Sequence, residues 1–187
     1  MRFAVINPVD AARLVTREVR TGSRHGAPTK IVVTHRAYDT DQEDLWDALT
    51  NPGRLPRWFL PISGELTVGG HYQLEGNVGG LIESCDEPVS FAVTWEMGPM
   101  VSWLTINLSA ADNATTLELV HEAPVDPGIR EPYGPGAVGI GWDLSLMGLG
   151  HHLEAKTALD PAEYLAYPAA ARTLAFYTGT AEDDPPK

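Results

Sequence analysis

One histidine in this chain stands where it could move a proton. In the run Thr115 to Glu122, His121 shares strand parity with Leu117 and Leu119, so it points inward while Glu122 points out. A histidine facing an internal space can serve as general acid or base. The plainer alternative is a neutral ring hydrogen-bonded to backbone or water. Both readings stand, and His121 is the sole catalytic candidate. Around it, Trp58, Tyr72, Trp95 and Trp142 are spread over separate elements, with Leu146 one helical turn beyond Trp142. Apolar walls with a few polar points are what small-molecule pockets use. The same residues would also make ordinary core.

Other patterns carry less. Gly134-Pro-Gly136-Ala-Val-Gly139 matches G-x-G-x-x-G, but it follows a loop and not the strand of a βαβ unit, so nucleotide binding is not expected. His151-His152 with Glu154 resembles a metal set. Adjacent helical positions point about 100° apart, so the two rings cannot easily meet one ion. Polar helix-end histidines near the negative end of the dipole are expected instead. Cys85 is the one cysteine, which excludes an intrachain disulfide and a Cys-based zinc site; nothing activates it. No G-x-S-x-G elbow is present, and no Ser-His-Asp set can be assigned. No metal and no cofactor are expected.

The elements that must position these residues are mostly strands. Leu14 to Arg20 and Lys30 to Arg36 alternate on either side of TGSRHGAPT, which predicts an N-terminal β-hairpin. Pro8 to Arg13 would form one helical turn before it. Thr40 with Glu43 reads as a capping box for a helix whose apolar face is Leu45, Trp46 and Leu49. Asn51-Pro52 reads as the N-cap and first position of a short second helix ending at Trp58, Phe59 and Leu60. Glu65 to Val68 and His71 to Glu75 flank Gly69-Gly70, a hairpin signal. Leu81 to Cys85, Phe91 to Met97, Ser102 to Leu108 and Thr115 to Glu122 continue an antiparallel meander. Trp103 has opposite parity to Leu104 and Ile106, which places it on the outer face, covering the sheet or marking a partner surface. After a Pro/Gly-rich loop, Val138, Trp142, Leu146, Leu149 and Leu153 form one stripe of a helix over 135–156. Gly139, Gly141, Gly148 and Gly150 weaken it and need tertiary packing to hold them. A tail beginning at Asp160-Pro161 is predicted to be partly helical and then frayed.

Composition bounds the setting. The chain has 187 residues, 43% hydrophobic and 20% charged, as ordinary globular proteins do. The formal charge of −12 disfavours nucleic acid and anionic membrane as partners. Residues 1–30 nevertheless carry six basic side chains against two acidic, a net +4 that leaves −16 elsewhere. A solvated hairpin lying on an acidic body is expected, with a weak anion or partner site as the alternative. No run reaches the length of a membrane span, and the start lacks a secretory pattern, so a cytoplasmic location is expected. The sequons at Asn107 and Asn113 are then chance matches.

Four stretches in order, DLWDALTNPGRLPRWFLP, GELTVGGHYQLEG, PVSFAVTWEM and TTLELVHEAP, followed by Gly141-Trp142, resemble the AHSA-type branch of the SRPBCC (START/Bet v I-like) superfamily. The resemblance covers about residues 29–155. It implies an α+β helix-grip fold, in which a curved antiparallel sheet wraps a long C-terminal helix and encloses a cavity. One domain over 1–187 is expected, with its core at about 29–155, a hairpin extension over 1–28 and a helical tail over 156–187. The expected function is binding of a small apolar molecule, with Trp95 and Trp142 as walls and His121 as the polar point. The alternatives are a cyclase- or hydrolase-like enzyme using the same cavity, or a co-chaperone-like module with a protein partner. Fold relatives of this kind differ widely in activity.

Overall fold

The computed structural model describes residues 13–125 and 137–155. Residues 8–12 of the expected turn at 8–13, most of the Pro/Gly loop, the G-x-G-x-x-G segment before Ala137 and the 156–187 tail lie outside them.

Eight strands form one antiparallel sheet: β1 (Val15–Arg24), β2 (Ala27–Tyr38), β3 (Ile62–Gly64), β4 (His71–Leu74), β5 (Gly79–Asp86), β6 (Ser90–Met97), β7 (Met100–Ala111) and β8 (Ala114–Pro124). Their order across the sheet is β1-β2-β8-β7-β6-β5-β4-β3. Helix α1 (Gln42–Thr50) and a 3-10 turn (Leu55–Arg57) follow β2, and helix α2 (Ala137–Ala155) follows β8. This is the helix-grip α+β architecture: a curved sheet around a long helix. No helix among the described residues is long and apolar enough to cross a membrane.

Turn chemistry sets the meander. β1 and β2 pair from Val15↔Arg36 to Arg24↔Ala27, and the nine-residue connection expected from TGSRHGAPT shrinks to His25-Gly26. Both turn residues have positive φ, 52° and 80°, which lets two residues reverse a twisted hairpin. Asp112-Asn113 turns β7 into β8 as expected.

Three local expectations need correction. The N-cap of α1 is Asp41, whose Oδ1 accepts from the Asp44 amide at 2.7 Å. Thr40 instead donates to the Asp44 carboxylate at 2.6 Å, so Glu43 is released from any capping role. Asn51 ends α1 and accepts from the Gly53 amide. The second helix reduces to the 3-10 turn, with Pro56 early enough that its missing N–H costs little. The strand paired with β4 is Ile62–Gly64, not 65–68. Gly64 takes φ 112° and lies against the backbone of His71, which ends the strand and sends Leu66, Thr67 and Val68 out as a loop. Gly69 and Gly70 then bond to Ile82 of β5 and do not form a two-residue turn.

Helix α2 packs its expected stripe against the concave face. Trp142, Leu146 and Leu149 are buried with Leu104, Leu117 and Leu119, and Val138 and Leu153 flank them. Three polar contacts fix its position. Arg17 of β1 forks onto the fully buried Asp143 at 2.8 and 3.0 Å. Tyr38 of β2 donates to the Leu146 carbonyl at 3.0 Å. Arg54 donates from Nε to His152 Nε2 at 3.1 Å while its Nη1 holds Asp44 and Asp47. His152 is therefore a buried, accepting group in the last turn of the helix. Gly150 lies directly on the Arg36 guanidinium, which is buried over the Tyr38 ring.

On the outer face, the hairpin tip folds over Trp103. The Arg24 guanidinium sits 4.3 Å from its ring centroid while bonding Glu122 at 2.8 Å. Trp103 is on the expected face, and its cover is the hairpin itself.

Candidate functional site

Between the concave face and α2 lies a cavity of about 1080 Å³. Strand alternation supplies its floor, with Tyr72, Val93, Trp95, Leu104, Ile106 and Leu119 on one face. Helix α2 roofs it with Trp142, Ser145 and Leu146. The α1 end contributes Trp46, Leu49, Leu55, Trp58 and Phe59. The mouth is formed by the loop bearing Leu66, Thr67 and Val68, and by Cys85 at the end of β5. Val68 is 58% exposed, so this rim is open to solvent.

Five of the six residues singled out in sequence meet here: Trp58, Tyr72, Trp95, Trp142 and Leu146 all line the cavity. The polar side-chain atoms of Trp58, Tyr72 and Trp142 are committed to the protein. The Trp58 indole donates to the Ala48 carbonyl at 2.8 Å, and the Tyr72 hydroxyl donates to the Thr94 carbonyl at 2.7 Å. Burial pushes the Tyr72 phenol pKa up, so it stays neutral. Trp95 and Trp142 meet edge to face at 5.0 Å.

His121 is the exception. It points to the concave side as its parity requires, but it sits behind the two tryptophans and is not part of the lining. Its Nδ1 accepts from the Trp142 indole at 2.9 Å, and its Nε2 bonds Ser102 Oγ at 2.8 Å. Ser102 in turn donates to the Trp95 carbonyl at 3.1 Å. Burial pulls the ring's pKa down to about 4, which keeps it neutral. The histidine is thus a strut that fixes the orientation of Trp142 against the sheet.

Sequence reasoning passes over three residues at the mouth: Glu43 and Asp47 on α1, and Glu87 after β5. Glu43, Trp46, Asp47 and Thr50 recur at i, i+3, i+4 and i+7, one helical face, and that spacing is the available signal. Asn51 and Arg54 hold the Asp47 carboxyl below its usual range. Cys85 is exposed at the rim, and burial together with Glu87 and Asp86 pushes its thiol up, away from nucleophilic reactivity. No group of His, Cys, Asp and Glu among the described residues could hold a metal ion.

Residues 39–154 match the family model described as activator of Hsp90 ATPase homolog 1-like protein, which is well over half of the chain. The chain belongs to this family. Among solved structures, the activator homologue fold recurs in CalU16 from Micromonospora echinospora, at 23% identity and a TM-score of 0.72, covering 90% of this chain and 99% of that one. DynU16, from the dynemicin biosynthetic locus, aligns at 21% identity and a TM-score of 0.60, over 68% of this chain and 48% of its own. PFC0360w, an HSP90 activator from Plasmodium falciparum, aligns at 21% and 0.55, over 67% and 94%. At these identities the likeness is one of fold. None of the curated proteins matches the chain in sequence.

Proposed function

We infer that this activator-homologue family member binds a small, largely apolar molecule in the cavity beneath α2. The observation that carries this reading is the cavity of about 1080 Å³, walled by aromatic and aliphatic side chains, with the polar atoms of Trp58, Tyr72 and Trp142 already bonded. Such a wall gains most from removing apolar surface from water, and the volume is at the upper end of small-molecule sites. Binding, and not acid–base chemistry at His121, is the favoured reading. Both ring nitrogens are engaged and the neutral ring lies behind Trp95 and Trp142. An enzyme of cyclase or hydrolase type using His121 would have to break that bracing before each proton transfer.

Mass spectrometry under non-denaturing conditions, on protein purified from its own host, tests this. A mass increment removed by organic extraction, and absent in a Ser145→Trp variant that fills the cavity, supports the reading. A clean mass together with no thermal shift on adding apolar probes overturns it. The family's name and the Plasmodium structure favour a second reading, a chaperone-type protein partner. Capture of Hsp90 by the immobilised protein, weakening as salt screens exposed charge, would support it.

A further inference from the structure

The charge around the cavity is one-sided. Among the described residues, its lining includes three carboxylates, Glu43, Asp47 and Glu87, and no lysine, arginine or histidine. Asp47 is ion-paired with Arg54 at 3.0 Å. No ion pair joins Glu43 or Glu87 among the described residues, and both are exposed at the mouth. The chain's net charge of −12 adds a field of the same sign.

Hydrogen-bond capacity is one-sided as well. Inside the lining, the Trp58 and Trp142 indoles, the Tyr72 hydroxyl, Thr50 and Ser145 all donate to the protein, to Ala48, His121, Thr94, Trp46 and Gly141 respectively. Among the described residues, a carboxylate or sulfate entering this space would shed its hydration and meet too few interior side-chain donors without a bonded acceptor, the Trp95 indole among them, to replace the water an anion gives up. A ligand that brings its own donors finds acceptors waiting at the rim. Aromatic faces also favour a cation, and Trp58 stacks on Phe59 at 5.4 Å in the same lining as the mouth carboxylates.

Resting on the reading of the cavity as a ligand site, we propose that it selects amine-bearing apolar molecules, with the apolar body under α2 and the ammonium between Glu43 and Glu87, and rejects carboxylates of the same body. It is a site for cationic amphiphiles and not for fatty acids.

Three probes with one body decide the matter: pyrenylbutylamine, pyrenylbutanol and pyrenylbutyrate, titrated by quenching of tryptophan fluorescence. The amine should bind at least about tenfold more tightly than the acid, with the alcohol between them. Added salt should narrow the gap. Combining Glu43→Gln with Glu87→Gln should weaken the amine about threefold to tenfold, as expected for two exposed pairs, and leave the alcohol unchanged. An acid bound as tightly as the amine overturns the charge preference while leaving the cavity reading intact. Amine affinity untouched by the double substitution overturns the placement at the mouth. Amine held equally by Ser145→Trp is adsorption to an acidic surface, and overturns the proposal too. If none of the three binds, both the proposal and the cavity reading fall.

Discussion

Protonating His121 should destabilise the fold by an amount large enough to measure. An exposed imidazole takes up its proton near pH 6.5; this one, shielded by Trp95 and Trp142, does so only at about 4. Between those values the unfolded chain binds a proton that the folded chain refuses. Stability must therefore fall as pH falls through that window, by about 1.4 kcal/mol for each pH step. From about pH 7 to about pH 4.5 the loss assignable to His121 is about 2.5 kcal/mol. The native carboxylates held low, Asp44, Asp47, Glu118 and Glu122, have the opposite shift. Their contribution is present above the unfolded carboxylate range and fades below it, and it is common to wild type and variant. A His121→Gln substitution isolates the histidine. The amide oxygen can accept from the Trp142 indole and the amide nitrogen can donate to Ser102, yet nothing titrates. Urea unfolding followed by circular dichroism at the two pH values gives the answer. Wild type should lose about 2.5 kcal/mol more than the variant. Equal losses in the two proteins would sink the argument, because they would mean that the ring is solvated or already charged in the folded state.

Other contacts in the fold lead to three more expected outcomes. Asp143→Ala removes the buried carboxylate that Arg17 grips and should cost about 3–5 kcal/mol in chemical denaturation, far beyond a surface ion pair. Gly150→Ala, normally worth about 1 kcal/mol to a helix, should instead destabilise by about 1–3 kcal/mol, because the new methyl overlaps the Arg36 guanidinium; a rise in melting temperature would refute the packing. Cys85 should alkylate more slowly than a free thiol at neutral pH, since its pKa is raised, and a molecule seated in the cavity should slow it further. Iodoacetamide labelling with and without pyrenylbutylamine measures both effects.

The meander is legible in sequence because each strand announces itself twice, by alternation and by a short turn. Phe91, Val93 and Trp95 lie toward the cavity as their parity requires. The segment from Glu65 to Val68 alternates just as well and is not a strand. What decides there is the backbone of Gly64, and no side-chain pattern encodes it. Parity also places His121 on the correct face without telling depth. A concave-face position opens to the cavity or is roofed by α2 depending on where Trp142 lands, and that depends on contacts about twenty residues away along the chain. The burial of His152 is hidden in sequence for the same reason: its partner Arg54 lies in the connection after α1, and local spacing says nothing about which helix that connection meets. The acidic mouth is hidden because Thr40 and Glu43 match a capping box, whereas Asp41 supplies the cap and leaves Glu43 to the rim.

The pairing of β2 with β8 has a kinetic meaning. It joins Thr29 to Pro124 and Tyr38 to Thr115, so the chain must close a long loop before this junction forms. The strands that carry the cavity floor, β4 to β8, are joined by short turns and can assemble locally, whereas β2, on which α2 rests, must arrive from far away. Non-local strand pairing of this sort slows folding toward the millisecond-to-second range. The floor of the pocket would then exist before its roof, and for that interval Trp95 and Tyr72 would face water. Substitutions in the β2–β8 ladder should change how fast the chain reaches its native state, while equal losses at the β6–β7 turn should mainly change how fast it leaves, if the junction is the step that limits folding.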